Sequence, residues 1–460
     1  MATLDIHNPA TGQSITTLAA DDADSVAAKA AAARAAQPAW AAVPMAERLA
    51  IIGRFRAGLV AELDDLALAL TQEMGKPVSQ AKNEINGLLG RIDFFLEHAE
   101  AAVADEAVAD GGTREIISHV PLGVVANISA WNYPYFVGCN VIVPALLTGN
   151  VVLYKPSEHA TLTGLNITRL LHAAGVPADA MQCLVGGGAV GAALLEQRID
   201  GLFFTGSHAT GQRIAVALAP RLVKVQLELG GKDPVYVRAD ADPKTAAESL
   251  ADGAMYNTGQ SCCSVERIYV HESLHDTFVQ HFLATVAGFK VGDPQAADTY
   301  IGAITRFPQL ALLEAQVADA VAKGAKLLTG GASGGKRLPG PGNWFAPTVL
   351  TNVNHTMELM REESFGPVIG IQKVGSDEEA LALMNDTRYG LTAGVFTRDE
   401  AAARALLSRV NAGSVYWNCC DRVSPRLPWS GHGDSGLGLT LSTLGIQTFT
   451  RPKAWHLRQL

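Results

Sequence analysis

The sequence is poor in cysteine and contains no cluster of basic residues. Six cysteines in 460 residues do not make a disulfide framework, which favours a reducing cytoplasm. Acidic residues outnumber lysine and arginine by 45 to 36, giving a formal net charge of −9. Binding to a polyanion needs a basic patch, so we predict no nucleic-acid partner.

A long uninterrupted hydrophobic run is also absent. The most apolar stretch, residues 120–154, is broken by Asn132, Pro134, Asn140, Pro144 and the Gly149-Asn150 pair. It lacks the roughly 20 consecutive apolar residues of a membrane span, and we expect buried strands around a helix there. The first eleven residues have neither the basic nor the apolar segment of a secretory signal. These absences predict a cytoplasmic chain with no membrane partner.

The hydrophobic content of 48% is enough for two or three domains. Residues 21–103 are alanine-rich and predict a layer of helices. The expected caps and breaks in this layer are Asp21, Asp22, Pro38, Pro44 and the turn at 75–77. Residues 113–120 and 448–452 predict extended arms outside the main sheets.

Short apolar runs alternate with helical segments beyond residue 122. The predicted strands are 124–128, 151–154, 183–185, 202–204 and 225–229. Such alternation implies a parallel, doubly wound sheet. A second α/β region follows from 233 to about 428, with predicted strands near 235–237, 267–270, 368–373 and 414–417.

Three polar segments directly follow predicted strands of the first sheet. They are residues 129–132, 155–158 and 205–207. Ligands of doubly wound sheets bind outside the carboxyl ends of the strands. We therefore expect these segments to meet at one ligand-binding edge.

One cysteine differs from the others in its local sequence. Cys262 follows the polar, turn-forming run 257–261, as a thiol exposed at a loop or helix start would. Glu228 lies about one βα unit earlier, and a cysteine with a carboxylate base suggests covalent chemistry. Adjacent Cys263 is interpreted as a pocket wall. The remaining cysteines, interpreted as inert small hydrophobes, are Cys139, Cys183, Cys419 and Cys420.

Eight motifs occur in an order that resembles the aldehyde dehydrogenase superfamily over nearly the whole chain. They are Pro121-Leu122-Gly123-Val124, Trp131-Asn132-Tyr133-Pro134, Lys155-Pro156-Ser157-Glu158, Phe204-Thr205-Gly206-Ser207, the segment 228–232, Gly259-Gln260-Ser261-Cys262, Glu363-Ser364-Phe365-Gly366-Pro367, and Asn385 with Tyr389-Gly390-Leu391. No single motif is decisive, but their order is specific.

The resemblance implies an α/β fold with three parts. Residues 1–104 and 122–230 would form a Rossmann-like NAD-binding domain, and 231–433 a second α/β catalytic domain. Residues 105–121 and 434–460 would form a small β oligomerisation arm and tail. Members of the family form dimers and tetramers through such arms, so we expect a homodimer or homotetramer.

The resemblance also implies NAD(P)-dependent oxidation of a small-molecule aldehyde to a carboxylic acid through a cysteine thiohemiacetal and thioester. Cys262 matches the nucleophile, Asn132 the side chain that stabilises the oxyanion, and Glu228 the general base, whose pKa we expect burial to raise. The alternatives are that Asn132 only caps a turn and that Glu228 is a surface carboxylate paired with Lys232. No metal ligand is assigned.

Cofactor contacts are implied in the same way. Lys155 and Glu158 match the residues that hold the adenosine ribose, and Glu363 and Phe365 those that hold the nicotinamide ribose and ring. A carboxylate at 158 accepts hydrogen bonds from a 2′-hydroxyl and repels a 2′-phosphate, which favours NAD, with NADP as the alternative. The other expected contacts are Ile128, Trp131, Ser157, Gly206, Ser207, Gly211 and Leu229. The run 186–188 is interpreted as a flexible turn.

The expected substrate pocket contains Tyr133, Asn140, Ser261, Cys263 and Trp429. Aromatic walls would admit apolar or aromatic aldehydes, or a quaternary ammonium. Succinate-semialdehyde-type enzymes usually carry arginine at position 140, which argues against a carboxylated substrate held in that manner. Arg422 and Arg426 are interpreted as structural or solvated, with substrate contact as the alternative. Two other functions remain open, a coenzyme A-acylating enzyme and a catalytically silent binding protein.

Overall fold

The computed structural model describes residues 2–109, 113–330 and 333–458. An antiparallel hairpin that the sequence did not predict opens the chain, with strands β1 (Thr3–His7) and β2 (Ser14–Ala19). The expected helical layer follows. Its members are α1 (Ala23–Ala42), α2 (Met45–Ala61), α3 (Leu63–Met74) and α4 (Val78–Ala102).

The ends of these helices agree with the predicted signals except at Pro38. The Asp22 carboxylate caps α1 by accepting from the backbone N–H of Ser25, at 2.9 Å. The predicted break at Pro38 is wrong, because Pro38 lies inside α1. The following turn is held by buried Trp40, whose indole N–H donates to the carbonyl of Leu146 at 3.1 Å. This packing offsets the hydrogen bond that proline removes.

The middle of the chain forms a six-stranded sheet with helices between its strands. After β3 (Glu106–Ala109) and β4 (Thr113–Pro121) come β5 (Val124–Ile128), α5 (Pro134–Leu147), β6 (Val151–Lys155), α6 (Thr161–Ala174), β7 (Met181–Cys183), α7 (Gly188–Leu195), β8 (Gly201–Thr205), α8 (His208–Leu218) and β9 (Lys224–Glu228). Strands β9, β8, β5, β6 and β7 are neighbours in that order and all parallel. Each predicted strand is present to within two residues at either end.

A second sheet of seven strands follows. The elements of this region are β10 (Asp233–Val237), α9 (Pro243–Met255), β11 (Val265–His271), α10 (His275–Ala287), α11 (Phe307–Ala322), β12 (Lys326–Leu327), β13 (Thr348–Thr351), β14 (Val368–Val374), α12 (Asp377–Asn385), β15 (Tyr389–Gly390), β16 (Thr392–Phe396), α13 (Glu400–Leu407) and β17 (Ser414–Trp417). The sheet order is β12-β13-β14-β11-β10-β16-β17, and β15 lies outside this sheet. The sequence missed β12, β13 and β16. β12 has only two residues, and β16 contains glycine, which weakens the strand signal.

The tail returns to the earlier parts of the chain. It comprises β18 (His432–Gly433), β19 (Gly436–Leu437), α14 (Ser442–Gln447) and β20 (Thr450–Arg458). β19 pairs with β9 at the edge of the first sheet, and β20 pairs along the whole of β4, which also pairs with β3. The two predicted arms therefore lie in one three-stranded sheet. None of the helices in the described ranges is both long and apolar enough to cross a membrane.

Candidate active site

The loop that carries Cys262 begins with a left-handed turn. Asn257, Thr258 and Gly259 have φ values of 54°, 58° and 70°. Such values are uncommon without glycine, and at residue 259 a β-carbon would collide with the carbonyl of Gly366. The turn places the cysteine loop directly against the segment 363–367.

Two side chains tie this loop to Asn132. The amide of Asn257 donates to the carbonyl of Asn132 at 3.1 Å and to that of Gln260 at 2.9 Å. The buried ammonium of Lys76 donates to the same Asn132 carbonyl at 2.8 Å. Asn132 is 4% exposed, and it lines a cavity beside Cys262. Its backbone is therefore held while its side chain borders the site.

Cys262 lies in a wall shared by two cavities. One has a volume of about 430 Å³ and contains Glu228 and all five predicted substrate-pocket residues in its lining, so we call it the substrate cavity. The other, of about 170 Å³, is lined by Asn132 and Glu363 among others. It shares Trp131, Gly206 and Ser207 with a further cavity of about 630 Å³, and these two together are the cofactor crevice. The thiol is thus accessible from both sides.

Glu228 lies at the end of β9 and is 7% exposed. Its carboxylate accepts hydrogen bonds from the hydroxyl of Thr440 and from the amide of Gln226, the latter at 3.0 Å. Burial raises the pKa of Glu228 to about 7, although these donors and the charge of Arg91 favour the anion. The alternative pairing with Lys232 is wrong, because the Lys232 ammonium contacts Glu266 at 2.5 Å.

The segment that carries Glu363 and Phe365 is held by a buried carboxylate. Glu266 accepts from the backbone N–H groups of Ser364 and Phe365, at 2.9 and 3.0 Å. Glu363 in turn accepts from the N–H of Gly231 at 3.0 Å, and burial with the nearby charge of Glu266 raises its pKa to about 8. Sequence reasoning missed Glu266, which is the second residue of β11 and belongs to none of the eight motifs.

The cofactor crevice opens at the carboxyl ends of β5, β6 and β8, as expected. Ten of the predicted cofactor residues line it directly, and these are Ile128, Trp131, Lys155, Ser157, Glu158, Gly206, Ser207, Leu229, Glu363 and Phe365. Gly211 does not line it. That glycine lies against Leu229, where a β-carbon would come within 2.6 Å of Cδ2. Gly211 therefore allows close packing of α8 against Leu229, and its contact with the cofactor stays a prediction.

The crevice has the chemistry that a dinucleotide needs. Gly206 and Ser207 precede the first turn of α8, whose free backbone N–H groups suit a pyrophosphate. Lys155 and Ser157 contact the Glu158 carboxylate only at 3.5 Å, which leaves it able to accept from ribose hydroxyls. Burial opposes ionisation of Glu158, but Lys155 and its other partners together lower its pKa.

Several lining residues were not found from the sequence. Gly188, assigned to a flexible turn, begins α7 and borders the crevice, together with His159, Arg213 and Arg306. On the substrate side the sequence missed Arg91 and its α4 neighbours Gln80 and Glu84. The spacing of 4 and 7 residues on one long helix was the available signal, because it places these polar side chains on one face.

The fold and site define a class of enzyme. The crevice lies at the carboxyl ends of parallel strands, where nucleotides bind in such sheets, and it meets a second cavity at a cysteine. This arrangement is typical of a nicotinamide-dependent oxidoreductase that uses a covalent intermediate. The model of the aldehyde dehydrogenase family matches residues 2–455.

Individual relatives agree over almost their whole length. The chain is 35% identical to a 3,6-anhydro-alpha-L-galactose dehydrogenase of Streptomyces coelicolor, covering 99% of this chain and 93% of that protein. It is 35% identical to a probable succinate-semialdehyde dehydrogenase [NADP(+)] of Synechocystis sp., covering 97% and 98%. Lactaldehyde dehydrogenase from Escherichia coli superposes with a TM-score of 0.96 at 30% identity, covering 100% and 96%.

The chain belongs to the aldehyde dehydrogenase family. It is an NAD(P)-dependent oxidoreductase that converts an aldehyde to a carboxylic acid. The α/β fold expected from the resemblance is confirmed by these structural matches, and no relative supports the silent or acylating alternatives.

Proposed function

We propose that Cys262, Asn132 and Glu228 carry out this oxidation and that the product is a free carboxylate. The observation that carries the proposal is the position of Cys262 between the cofactor crevice and the cavity that contains Glu228. A nucleophile that must hold a substrate carbon beside a nicotinamide has to be accessible from both compartments.

The first step is attack of the Cys262 thiolate on the aldehyde carbon, which forms a C–S bond and leaves an alkoxide. The Asn132 amide and the backbone N–H of Cys262 donate to that oxygen, and removing one such donor typically costs about 3 kcal/mol of barrier. When bound, the nicotinamide ring would accept the hydride that leaves the tetrahedral carbon as its alkoxide re-forms a carbonyl, which converts the Cys262 adduct to the thioester. Residues 128–132, 155–158, 206–207 and 363–365 are assigned to hold the dinucleotide.

The second step is hydrolysis of the thioester. Glu228 accepts a proton from water, the hydroxide attacks the acyl carbon, and the thiolate of Cys262 leaves. A base with a pKa of about 7 is suited to this proton transfer near neutral pH. Retention of this glutamate favours water over coenzyme A as the acyl acceptor.

NAD is the proposed preferred cofactor, with NADP accepted less well. The support is Glu158, which is 41% exposed and borders the crevice opposite the expected adenosine ribose. An anionic carboxylate there accepts from a 2′-hydroxyl and repels a 2′-phosphate.

The domain division and assembly predicted from the sequence are retained as proposals. The first sheet is built mainly from residues 124–228, the second from 233–417, and the third from 106–109 and 113–121 with 450–458. Val108, Trp455 and Leu457 are exposed on that third sheet, whose edges are open to pairing. We assign it to a homodimer or homotetramer contact, which light scattering coupled to gel filtration tests. All six cysteines are free, which supports a cytoplasmic location.

The proposed function is tested by incubating the purified chain with aliphatic, aromatic and ω-carboxyl aldehydes and either cofactor, without coenzyme A. We expect stoichiometric reduced cofactor and free acid, measured by absorbance at 340 nm and by chromatography. A strict requirement for coenzyme A would replace hydrolysis by acyl transfer, and no reduction with any aldehyde would overturn the assignment of the site.

A further inference from the structure

Arg91 is a buried cation without a carboxylate partner. Its side chain comes from α4, is 6% exposed and lines the substrate cavity. The other buried cations at the site, Lys76 and Lys232, pair with Glu84 and Glu266. Within the described ranges no carboxylate oxygen lies within 4.0 Å of an Arg91 nitrogen. An unpaired buried charge is costly, so a buried guanidinium of this kind calls for an anion.

The Arg91 guanidinium is held in one orientation. It stacks on the ring of Phe136, with 3.7 Å from its carbon to the ring centroid, and its Nη1 donates to the side-chain oxygen of Asn140 at 3.0 Å. That is the one hydrogen bond described for its five N–H donors. Burial lowers the pKa of Arg91 to about 10, which leaves it charged at neutral pH.

The carboxylates of the substrate cavity do not neutralise Arg91. Glu84 is paired with Lys76, and Asp252 accepts from the hydroxyl of Tyr300. Asp421 accepts from the thiol of Cys263 at 2.9 Å, and burial raises its pKa to about 6. Glu228 accepts from the hydroxyl of Thr440 and the amide of Gln226, and its charge acts on Arg91 without an ion pair between them among the described residues. Each of these acidic groups is already occupied by another donor, whereas Arg91 keeps donors free.

We propose that Arg91 binds the carboxylate of an aldehyde substrate, so that the enzyme prefers aldehydes carrying an anionic group. This rests on the proposed function, in which the aldehyde carbon lies at Cys262 of the same cavity. Asn140 occupies the position where carboxylate-binding members of the family usually have arginine. Here the cation comes from α4 instead, and Asn140 orients it.

The aromatic walls support an anionic substrate over a cationic one. Tyr133 and Phe136 stack with ring centroids 5.8 Å apart. Lys76 lies 3.8 Å from the Tyr133 centroid, and Arg91 covers Phe136. These two ring faces are occupied by the protein's own cations, so they do not form a cage for a quaternary ammonium.

The test compares aldehydes matched in length, succinate semialdehyde with butyraldehyde and 4-carboxybenzaldehyde with benzaldehyde. We expect the wild-type protein to show the higher kcat/KM with the charged member of each pair. In Arg91→Met, kcat/KM for charged aldehydes should fall about 30-fold or more, mainly through KM, and by less than threefold for neutral ones. Arg91→Lys should keep part of the preference.

Arg404→Met is the matched control, because Arg404 is an exposed arginine on α13 that pairs with Glu400 and does not line the substrate cavity. We expect it to leave the charged-to-neutral ratio unchanged. An equal loss for both members of a pair in Arg91→Met would overturn the proposal, since it would mean that Arg91 acts on the thiol or on folding. No wild-type preference for the charged member would also overturn it.

A measurement on the unmodified protein avoids any folding defect of the variants. Succinate and butyramide are compared as inhibitors of butyraldehyde oxidation, and succinate should compete at least tenfold more strongly. Equal inhibition constants would contradict the anion site. In that case butyraldehyde would still be oxidised, whereas failure of the proposed function would abolish oxidation of every aldehyde.

Discussion

The cofactor crevice and the substrate cavity meet at Cys262 but are built from different parts of the chain. The crevice is formed around the ends of parallel strands and the turn at Gly206. The substrate cavity is formed by residues from α4, α5 and the loop around 421–429. The position of strand ends is set by the fold, whereas the lining of the cavity changes with each side-chain substitution.

The two regions also differ in how their charges are used. In the crevice Lys155 and Glu158 are loosely paired, at 3.5 Å, and are free to exchange partners with a ligand. In the cavity Glu84 is fixed by Lys76, while Arg91 has no anion. We infer that the crevice serves one constant ligand and that the cavity selects among aldehydes.

The largest effect is expected where both regions meet. Cys262→Ser should lower turnover by roughly 10⁴-fold or more, because a hydroxyl is a far weaker nucleophile than a thiolate and a poorer leaving group. NAD binding, followed by protein fluorescence, should persist because the crevice is unchanged. Cys419→Ser is the matched control and should keep full activity. Appreciable turnover by Cys262→Ser would show that Cys262 is not the nucleophile and that the reaction does not take place where the crevice and the cavity meet.

A smaller loss of turnover is expected when only Glu228, which lines the substrate cavity, is changed. Glu228→Gln should reduce steady-state turnover by about 10²- to 10³-fold, because general-base catalysis of thioester hydrolysis is lost. The first turnover should still release reduced cofactor, visible as a burst in stopped-flow absorbance. If the burst and the steady-state rate fell together, Glu228 would be needed before the thioester forms. Its role would then not be limited to hydrolysis of the thioester.

The motifs that follow strands of the first sheet predicted much of the crevice for a physical reason. Strand ends and glycine turns must be in place for any dinucleotide, so the motifs at 155–158 and 205–207 identify them. Gly211 shows where this reasoning stops, because its role is to pack against Leu229. A motif can predict that a position must be glycine, but it does not predict which neighbouring side chain leaves no room for a β-carbon there.

Arg91 shows what a motif search leaves out. It lies 49 residues before Asn140 in the chain, and the hydrogen bond between them depends on the packing of α4 against α5. Glu266 is similar, since its carboxylate holds the backbone at 364–365 from 98 and 99 residues away. Spacing along α4 can place Arg91 on a polar face of that helix, but the partners of Arg91 and Glu266 are set by tertiary packing and follow from neither spacing nor local propensity.

The pH dependence of kcat tests the role of Glu228 in the substrate cavity. Its carboxylate must be deprotonated to accept a proton from water, and its pKa is raised to about 7. The steady-state kcat should therefore rise as pH increases through about 7 and fall roughly tenfold for each unit well below it. Glu228→Gln should lose this dependence between pH 5.5 and 7. A wild-type profile flat over that range would mean that hydrolysis does not limit turnover or that another group is the base.

The smallest effect is expected in the crevice at Glu158. Glu158→Ser removes the negative charge that repels a 2′-phosphate, and it leaves Lys155, whose ammonium lies 3.5 Å from that carboxylate, free to contact the phosphate. The ratio of kcat/KM for NADP to that for NAD should rise about tenfold, while the aldehyde preference set by the cavity stays the same. Glu248→Ser, an exposed carboxylate on α9, is the matched control. An unchanged cofactor ratio would show that Glu158 does not contact the ribose, and a changed aldehyde preference would show that the two regions are coupled.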